Sequence, residues 1–212
     1  MKSGFGGRAV PGSRLAWLLV GLLGLMLGGC GQSTLSPASD ASFTSRDRQL
    51  LAQAPYAQAS IPDQYRRHVV EYPYREPAGT ILVNSDARYL YYVLPDGKAI
   101  RYGVAVGEEA LAFSGVAKIG RMAEWPDWIP TPDIQARLGP YPPRIPGGPA
   151  NPLGARALYL YEGNKDTLYR IHGTIEPNTI GQSVSSGCIR MINQDAINLY
   201  NQTPVGTKVI VL

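Results

Sequence analysis

Leu168-Tyr169-Arg170-Ile171-His172-Gly173-Thr174, followed by Ser185-Ser186-Gly187-Cys188-Ile189-Arg190-Met191, is the stretch around which this 212-residue chain is organised. The first part reads as a strand that ends on His172, where a rigid sheet can position an imidazole. Cys188 follows 16 residues after His172, behind Gly181, Ser183, Ser185, Ser186 and Gly187. A thiol becomes a good nucleophile only as the thiolate, and its ordinary pKa is about 8.5. Imidazole is the side chain best matched to removing that proton near neutrality and returning it to a leaving amine. Gly187 lets the backbone turn tightly enough to aim its own N–H and that of Cys188 at a developing oxyanion. These residues imply cysteine-dependent acyl transfer. Their order, histidine before cysteine, sets them apart from papain-like peptidases, in which the cysteine comes first.

Outward from this stretch the pattern is mainly β. On the C-terminal side, Asn193-Gln194-Asp195 gives helix-start signals, and Ala196, Leu199 and Tyr200 share one face. Thr203-Pro204 stops that short helix, and Lys208 to Leu212 closes as a buried strand. On the N-terminal side, Ala157 to Tyr161 forms a strand joined to Leu168–His172 through Gly163-Asn164-Lys165-Asp166. Further strands are expected over Thr80–Val83, Tyr89–Leu94, Ile100–Val106 and Phe113–Ile119, with turn chemistry at Pro95-Asp96-Gly97-Lys98. The tyrosine-rich stripes on these strands read as sheet packing. Residues 123–154 differ in kind, holding Trp125, Trp128, Tyr141 and nine prolines between Pro126 and Pro152 with no sheet or helix period. A structureless insertion of that length is usually functional, and proline stiffens it enough to form a groove wall.

Residues from about 62 to 77 form a transition into the folded part, and His68 within them reads as a surface or hydrogen-bonding histidine. Gly31 to Ile61 is rich in Ser, Ala and Gln, lacks a period, and is expected to be a flexible tether. Before it, Met1–Arg14 is basic and free of acids, and Leu15–Leu27 is 13 residues without a charge. A membrane-spanning helix needs roughly 20 residues, so this run fits the core of an export signal. Its ending, Leu27-Gly28-Gly29-Cys30, resembles a bacterial lipobox, in which the cysteine is acylated and becomes the mature N-terminus. Gly31, rather than Asp, then points by resemblance to lipoprotein sorting toward the outer membrane, facing the periplasm.

This reading settles charge and cysteine usage together. The net charge of +4 could suggest nucleic acid. Lys2, Arg8 and Arg14 leave with residues 1–29, however, so 20 basic against 16 acidic residues becomes 17 against 16. The clustered basic excess of a nucleic-acid footprint is absent. Two cysteines in an exported chain would ordinarily suggest one disulfide. A lipidated Cys30 cannot form it, which leaves Cys188 for chemistry.

His172-Gly173-Thr174 with Ser185-Ser186-Gly187-Cys188-Ile189-Arg190 closely resembles the motif of the YkuD family of L,D-transpeptidases, bacterial enzymes of peptidoglycan cross-linking. The resemblance runs from about Gly79 to Leu212 and includes Asn151-Pro152-Leu153-Gly154 and Pro204-Val205-Gly206-Thr207. Many relatives carry a second histidine where this chain has Ser186, which leaves His172 as the one base in the motif. The resemblance implies a β-sandwich catalytic domain with a short C-terminal helix and a long Pro/Gly-rich active-site loop. With the export signal and the linker composition read above, it divides the chain into three regions: a lipoprotein signal at 1–29, a lipidated tether at 30–61, and the catalytic domain at 62–212 with its core from about 79.

It also implies roles. Cys188 attacks the third-residue carbonyl of a tetrapeptide stem, D-alanine leaves, and an amine of another stem or of an anchored protein resolves the thioacyl-enzyme. His172 acts as base and then acid, oriented by the carbonyl of Gly173. Gly187 and Cys188 supply oxyanion N–H groups, with Ser185, Ser186 and Arg190 shaping the site. No metal or cofactor is called for. The partners are peptidoglycan stems and a membrane reached through the lipid, with no nucleic acid. Two alternatives accompany this reading: an L,D-carboxypeptidase or hydrolase on the same fold, and a non-catalytic peptidoglycan-binding tether. An intact His172 and Cys188 argue against the tether.

Overall fold

The computed structural model describes residues 42–57, 59–72, 74–108, 113–185 and 187–212. The export signal, Cys30, the first part of the tether and Ser186 lie outside the described residues. The fold is mainly β, as the strand patterning implies. One mixed sheet has nine strands, β1 (His68–Glu71), β2 (Ile81–Asn84), β3 (Tyr89–Val93), β4 (Lys98–Gly103), β6 (Gly115–Glu124), β7 (Arg156–Glu162), β8 (Lys165–His172), β10 (Ile189–Arg190) and β11 (Lys208–Val211). Their order is β1-β4-β3-β2-β11-β6-β7-β8-β10, and β5 (Val106–Gly107) pairs separately with β9 (Ser183–Ser185). Among the described residues three short α-helices accompany them: α1 (Ser45–Ala52), α2 (Pro132–Leu138) and α3 (Asn193–Gln202).

Local rules account for the hairpins. Asp96 and Gly97 both take positive φ, 60° and 69°, the conformation that lets a tight turn follow the twist of β3 and β4. The C-terminal strand has a more global part. β11 runs parallel to β2 on one side and antiparallel to β6 on the other, so it joins the N-terminal hairpins to the site-bearing strands. One apolar cluster takes residues from both regions, including Ile81, Leu90 and Tyr102 with Leu158, Leu160, Ile171, Met191 and Leu199. Each fully buried side chain of this size contributes about 1.5–3 kcal/mol.

The structure corrects three expectations. The strand expected over 100–106 stops at Gly103; Ala105 then exchanges backbone hydrogen bonds with Arg190. Residues 123–154 are not structureless. β6 continues to Glu124, Trp128 bridges Ile145, and Pro132 opens α2 behind the Thr131 hydroxyl, which caps it. Proline at the first helical position costs nothing there, because that N–H has no intrahelical partner.

The third correction concerns the tether. Residues 42–61 had the composition of a flexible linker, yet they pack onto the domain. Thr44 and Asp47 form a capping box that starts α1. The Asp47 carboxylate then receives two Arg156 guanidinium bonds, at 2.9 and 2.8 Å, and one from Trp125 Nε1 at 2.8 Å. Asp47 and Arg156 are each 1% exposed. Hydrogen bonds and the Arg156 charge outweigh burial and hold the carboxyl down at about 2. Phe43 packs beside them with Trp125, Ala155 and Ile197. These partners are remote in sequence, so composition alone could not reveal them.

Removing one member of a buried ion pair strands the other. Asp47→Ala is therefore expected to cost about 3–5 kcal/mol in urea unfolding, tempered by Glu124, whose carboxylate lies 3.8 Å from Arg156. An unchanged unfolding midpoint would show that α1 is not anchored in this way.

Candidate active site

The ladder between β8 and β10 assembles the site. These strands run parallel, with Ile189 opposite Ile171 and Arg190 opposite His172. Cys188, the residue just before β10, is thereby brought beside the end of β8. The short β10 is pinned on both sides, since Met191 N–H donates to the His172 carbonyl and Arg190 pairs with Ala105. Gly187 takes φ of 118°, a left-handed value that a β-carbon would strain, just where the chain turns to present the thiol.

His172 is 5% exposed, and its Nδ1 lies 2.5 Å from the Gly173 carbonyl oxygen. A carbonyl only accepts, so Nδ1 carries the proton and Nε2 is the nitrogen left with a lone pair. Burial, reinforced by the Arg190 and Arg170 cations, pushes the imidazolium pKa down to about 3 against the opposing bond to Gly173. Burial also pushes the Cys188 thiol up, although a backbone hydrogen bond from Arg170 and the same two cations pull it back. Both groups are therefore neutral at rest.

His172 and Cys188 line one cleft of about 180 Å³, together with Thr174, Ile175, Glu176 and Arg190. Arg190 donates to the Glu176 carboxylate at 2.8 Å. The opposite lining comes from the Pro/Gly-rich segment: Trp128, Ile134, Tyr141, Pro152 and Leu153. Trp128 and Tyr141 meet edge to face, 5.0 Å between centroids. The segment is thus a wall of the cleft, mostly apolar and cross-braced by Asp127, which accepts from Arg144 and from Gly147 N–H. Among the described residues no group of three His, Cys, Asp or Glu side chains could hold a metal ion.

The motif residues fall as follows. His172, Cys188 and Arg190 line this cleft, Gly173 and Gly187 adjoin them in the chain, and Ser185 ends β9 three residues before Cys188. His68 lies on β1, at the opposite edge of the nine-stranded sheet, and its Nδ1 is buried without a hydrogen-bond partner among the described residues. The motif did not point to Glu176, the aromatic wall or Asn193. Asn193 signalled only a helix start in the sequence, yet it is 2% exposed and bonded to the turn that carries Gly173 and Thr174.

With this geometry in view, the relatives can be placed. The model of the YkuD family, the L,D-transpeptidase catalytic domain, matches residues 78–211. Two Escherichia coli K12 proteins, "Probable L,D-transpeptidase ErfK/SrfK" and "Probable L,D-transpeptidase YbiS", are 36% and 33% identical over 139 and 137 residues. Each match covers 62% of this chain and 43% of the relative, so the chain spans under half the length of these relatives. A Brucella melitensis crystal structure described as a probable carnitine operon oxidoreductase aligns at 45% identity over 76% of this chain and 100% of its own, with a TM-score of 0.48. That description is shared neither by the family model nor by the two E. coli relatives, and a superposition at that score carries no weight for the fold. The match over most of the described sheet includes the histidine and cysteine that the β8–β10 ladder brings to one cleft, and on it this chain belongs to the YkuD family of L,D-transpeptidase catalytic domains.

Proposed function

We propose that this chain is a peptidoglycan L,D-transpeptidase anchored in the cell envelope by lipid on Cys30. The observation that carries the proposal is that Cys188 and a buried His172 with its lone pair on Nε2 face the same cleft in a chain of this family. In the proposed reaction, Cys188 Sγ forms a bond to the third-residue carbonyl carbon of a tetrapeptide stem as its proton passes to His172 Nε2. The tetrahedral oxyanion is held by the N–H groups of Gly187 and Cys188. The C–N bond to D-alanine then breaks, and the imidazolium returns its proton to the leaving amine. An amine of a second stem, or of an anchored protein, attacks the thioester, and its proton returns through His172 to the departing sulfur. The aromatic wall of Trp128 and Tyr141 and the Arg190–Glu176 pair border the space in which the donor stem would lie.

Localisation belongs to the same proposal: residues 1–29 as the export signal, a tether from Cys30 to about 41, and an outer-membrane anchor facing the periplasm. No helix among the described residues is long and apolar enough to cross a membrane. Cys30→Ala is expected to move the protein from the membrane to the soluble fraction; retention in the membrane would refute the lipid anchor.

Products decide the reaction. Incubation with disaccharide tetrapeptide should give cross-linked dimers with loss of D-alanine by mass spectrometry. Tripeptide alone would make the enzyme a hydrolase, and unchanged but bound substrate would make it a tether. A carbapenem should add its mass to the native chain and not to Cys188→Ala; the same adduct in that variant would exclude Cys188 as nucleophile.

Protonation gives a separate test. A neutral resting pair has its thiol pKa above the ordinary value, so alkylation by iodoacetamide should keep rising through about pH 9. A rate that is flat from about pH 5 to 8 would mean a preformed thiolate–imidazolium pair instead.

A further inference from the structure

Next to the turn that follows His172, one side chain holds three pieces of the chain together. Asn193 Oδ1 accepts from Ala155 N–H at 2.8 Å, and its Nδ2 donates to the Thr174 carbonyl at 2.8 Å and to the Tyr56 hydroxyl at 2.9 Å. The two backbone partners fix which end of the amide is oxygen. The amide also fills the space next to two glycines. A β-carbon at Gly173 or Gly154 would collide with Asn193 Oδ1. Gly173 is the residue whose carbonyl holds His172 Nδ1, and its own N–H donates to the Arg156 carbonyl at 3.0 Å.

Two of these attachments lead to the N-terminal segment once read as a tether. Tyr56 belongs to it, and Arg156 is gripped by Asp47 of α1. The turn Gly173–Thr174 is therefore held by its N–H through Arg156 and by the Thr174 carbonyl through Asn193, and segment 43–61 backs both supports.

We infer that Asn193 and Tyr56 are positioning residues for the catalytic histidine, and that segment 43–61 is a built-in strap that holds the Gly173 carbonyl where it selects the His172 tautomer. Neither residue lines the cleft with Cys188. They act through the turn. If the turn loosens, the Gly173 carbonyl withdraws, Nδ1 loses its acceptor, and the ring can protonate Nε2 instead. That tautomer has no lone pair to offer the thiol. The groups that bear on the ring's charge are Arg190 on β10 and Arg170 on β8. Neither variant below touches them.

The kinetic half of this inference rests on the function proposed above, while the structural half does not. The test therefore uses two readouts on the full chain in detergent, for the native protein, Tyr56→Phe and Asn193→Ala. The first is ¹⁵N NMR of the imidazoles; there are only two histidines, and His68→Gln separates their signals. In the native chain His172 should be the Nδ1–H tautomer, titrating only near about 3. In both variants the tautomers should mix, because Nδ1 no longer has a fixed acceptor; the Gly173 bond raises the ring's pKa, so its loss by itself gives no upward shift of the midpoint. The second readout is the rate of carbapenem acylation. It should fall about threefold to tenfold in Tyr56→Phe, the loss of one hydrogen bond, and about 100-fold in Asn193→Ala, the cost of a misplaced base.

Tyr56→Phe removes a single oxygen, so it decides the matter if Asn193→Ala fails to fold. Folded variants with native His172 signals and native acylation rates would overturn the inference. Altered His172 signals in a chain whose native form takes no carbapenem would uphold the positioning role and reject the transpeptidase reading.

Discussion

The hydrogen bond from His172 Nδ1 to the Gly173 carbonyl is the constraint on which the rest of the site depends. A buried imidazole must have at least one ring nitrogen satisfied, because an unpaired polar atom away from water costs about 1–3 kcal/mol. Meeting that need with the very next carbonyl requires a specific bend at 173. The bend requires glycine there, because the Asn193 amide occupies the space of a β-carbon. The same bond leaves Nε2 as the basic nitrogen, which is the one useful to a thiol. Where many enzymes use a carboxylate to orient the histidine, this chain uses a backbone carbonyl. Burial and two nearby arginines hold the ring neutral.

That choice shapes the energetics around it. Cys188 and His172 are both kept uncharged by burial, so the site does not carry a permanent ion pair in the resting state. In the proposed reaction charge is created when the thiol attacks, in a cleft where the low polarity of the aromatic wall strengthens any preorganised donor. Buried charges do persist elsewhere among the described residues, in the Arg67–Asp195 pair and in the Asp47–Arg156 pair that anchors α1. Such a pair is weak evidence for net stability, since desolvating both ions offsets most of their attraction. Its geometric effect is clearer: two guanidinium bonds and the Trp125 indole fix α1 in one place.

Much of the architecture was legible beforehand because it is local. The runs Ile81–Val83, Tyr89–Val93, Ala157–Tyr161 and Leu168–His172 are strands, and α3 starts and stops where its signals stand. Of the motif residues named from sequence, His172, Cys188 and Arg190 line one cleft, Gly173 and Gly187 are their chain neighbours, and Ser186 lies outside the described residues. What escaped was non-local. β10 is only two residues long and exists because β8 and Ala105 pair with it, so no run of apolar residues announces it. The groove wall was legible in segment 123–154 with its Trp128 and Tyr141, but the sequence did not say which of its residues line the cleft, and Ile134 carried no signal there. The tether was misjudged because its apolar residues are sparse, and their partners lie beyond residue 104.

By itself the sequence determined the chemistry at hand and the order in which it is presented: a thiol, one motif histidine before it, glycines where the chain must turn, and strands to carry them. Those are properties of residues and their near neighbours. Only the tertiary structure decided which groups are buried, and burial sets the protonation of His172 and Cys188. It also decided that Asn193, which sequence marks as no more than a helix start, sits against Gly173, and that segment 43–61 packs behind the turn instead of trailing free. The physical reason is the same in each case. Desolvation and side-chain contact depend on chain segments far apart in sequence, 137 residues for Tyr56 and Asn193, and no local period records their meeting.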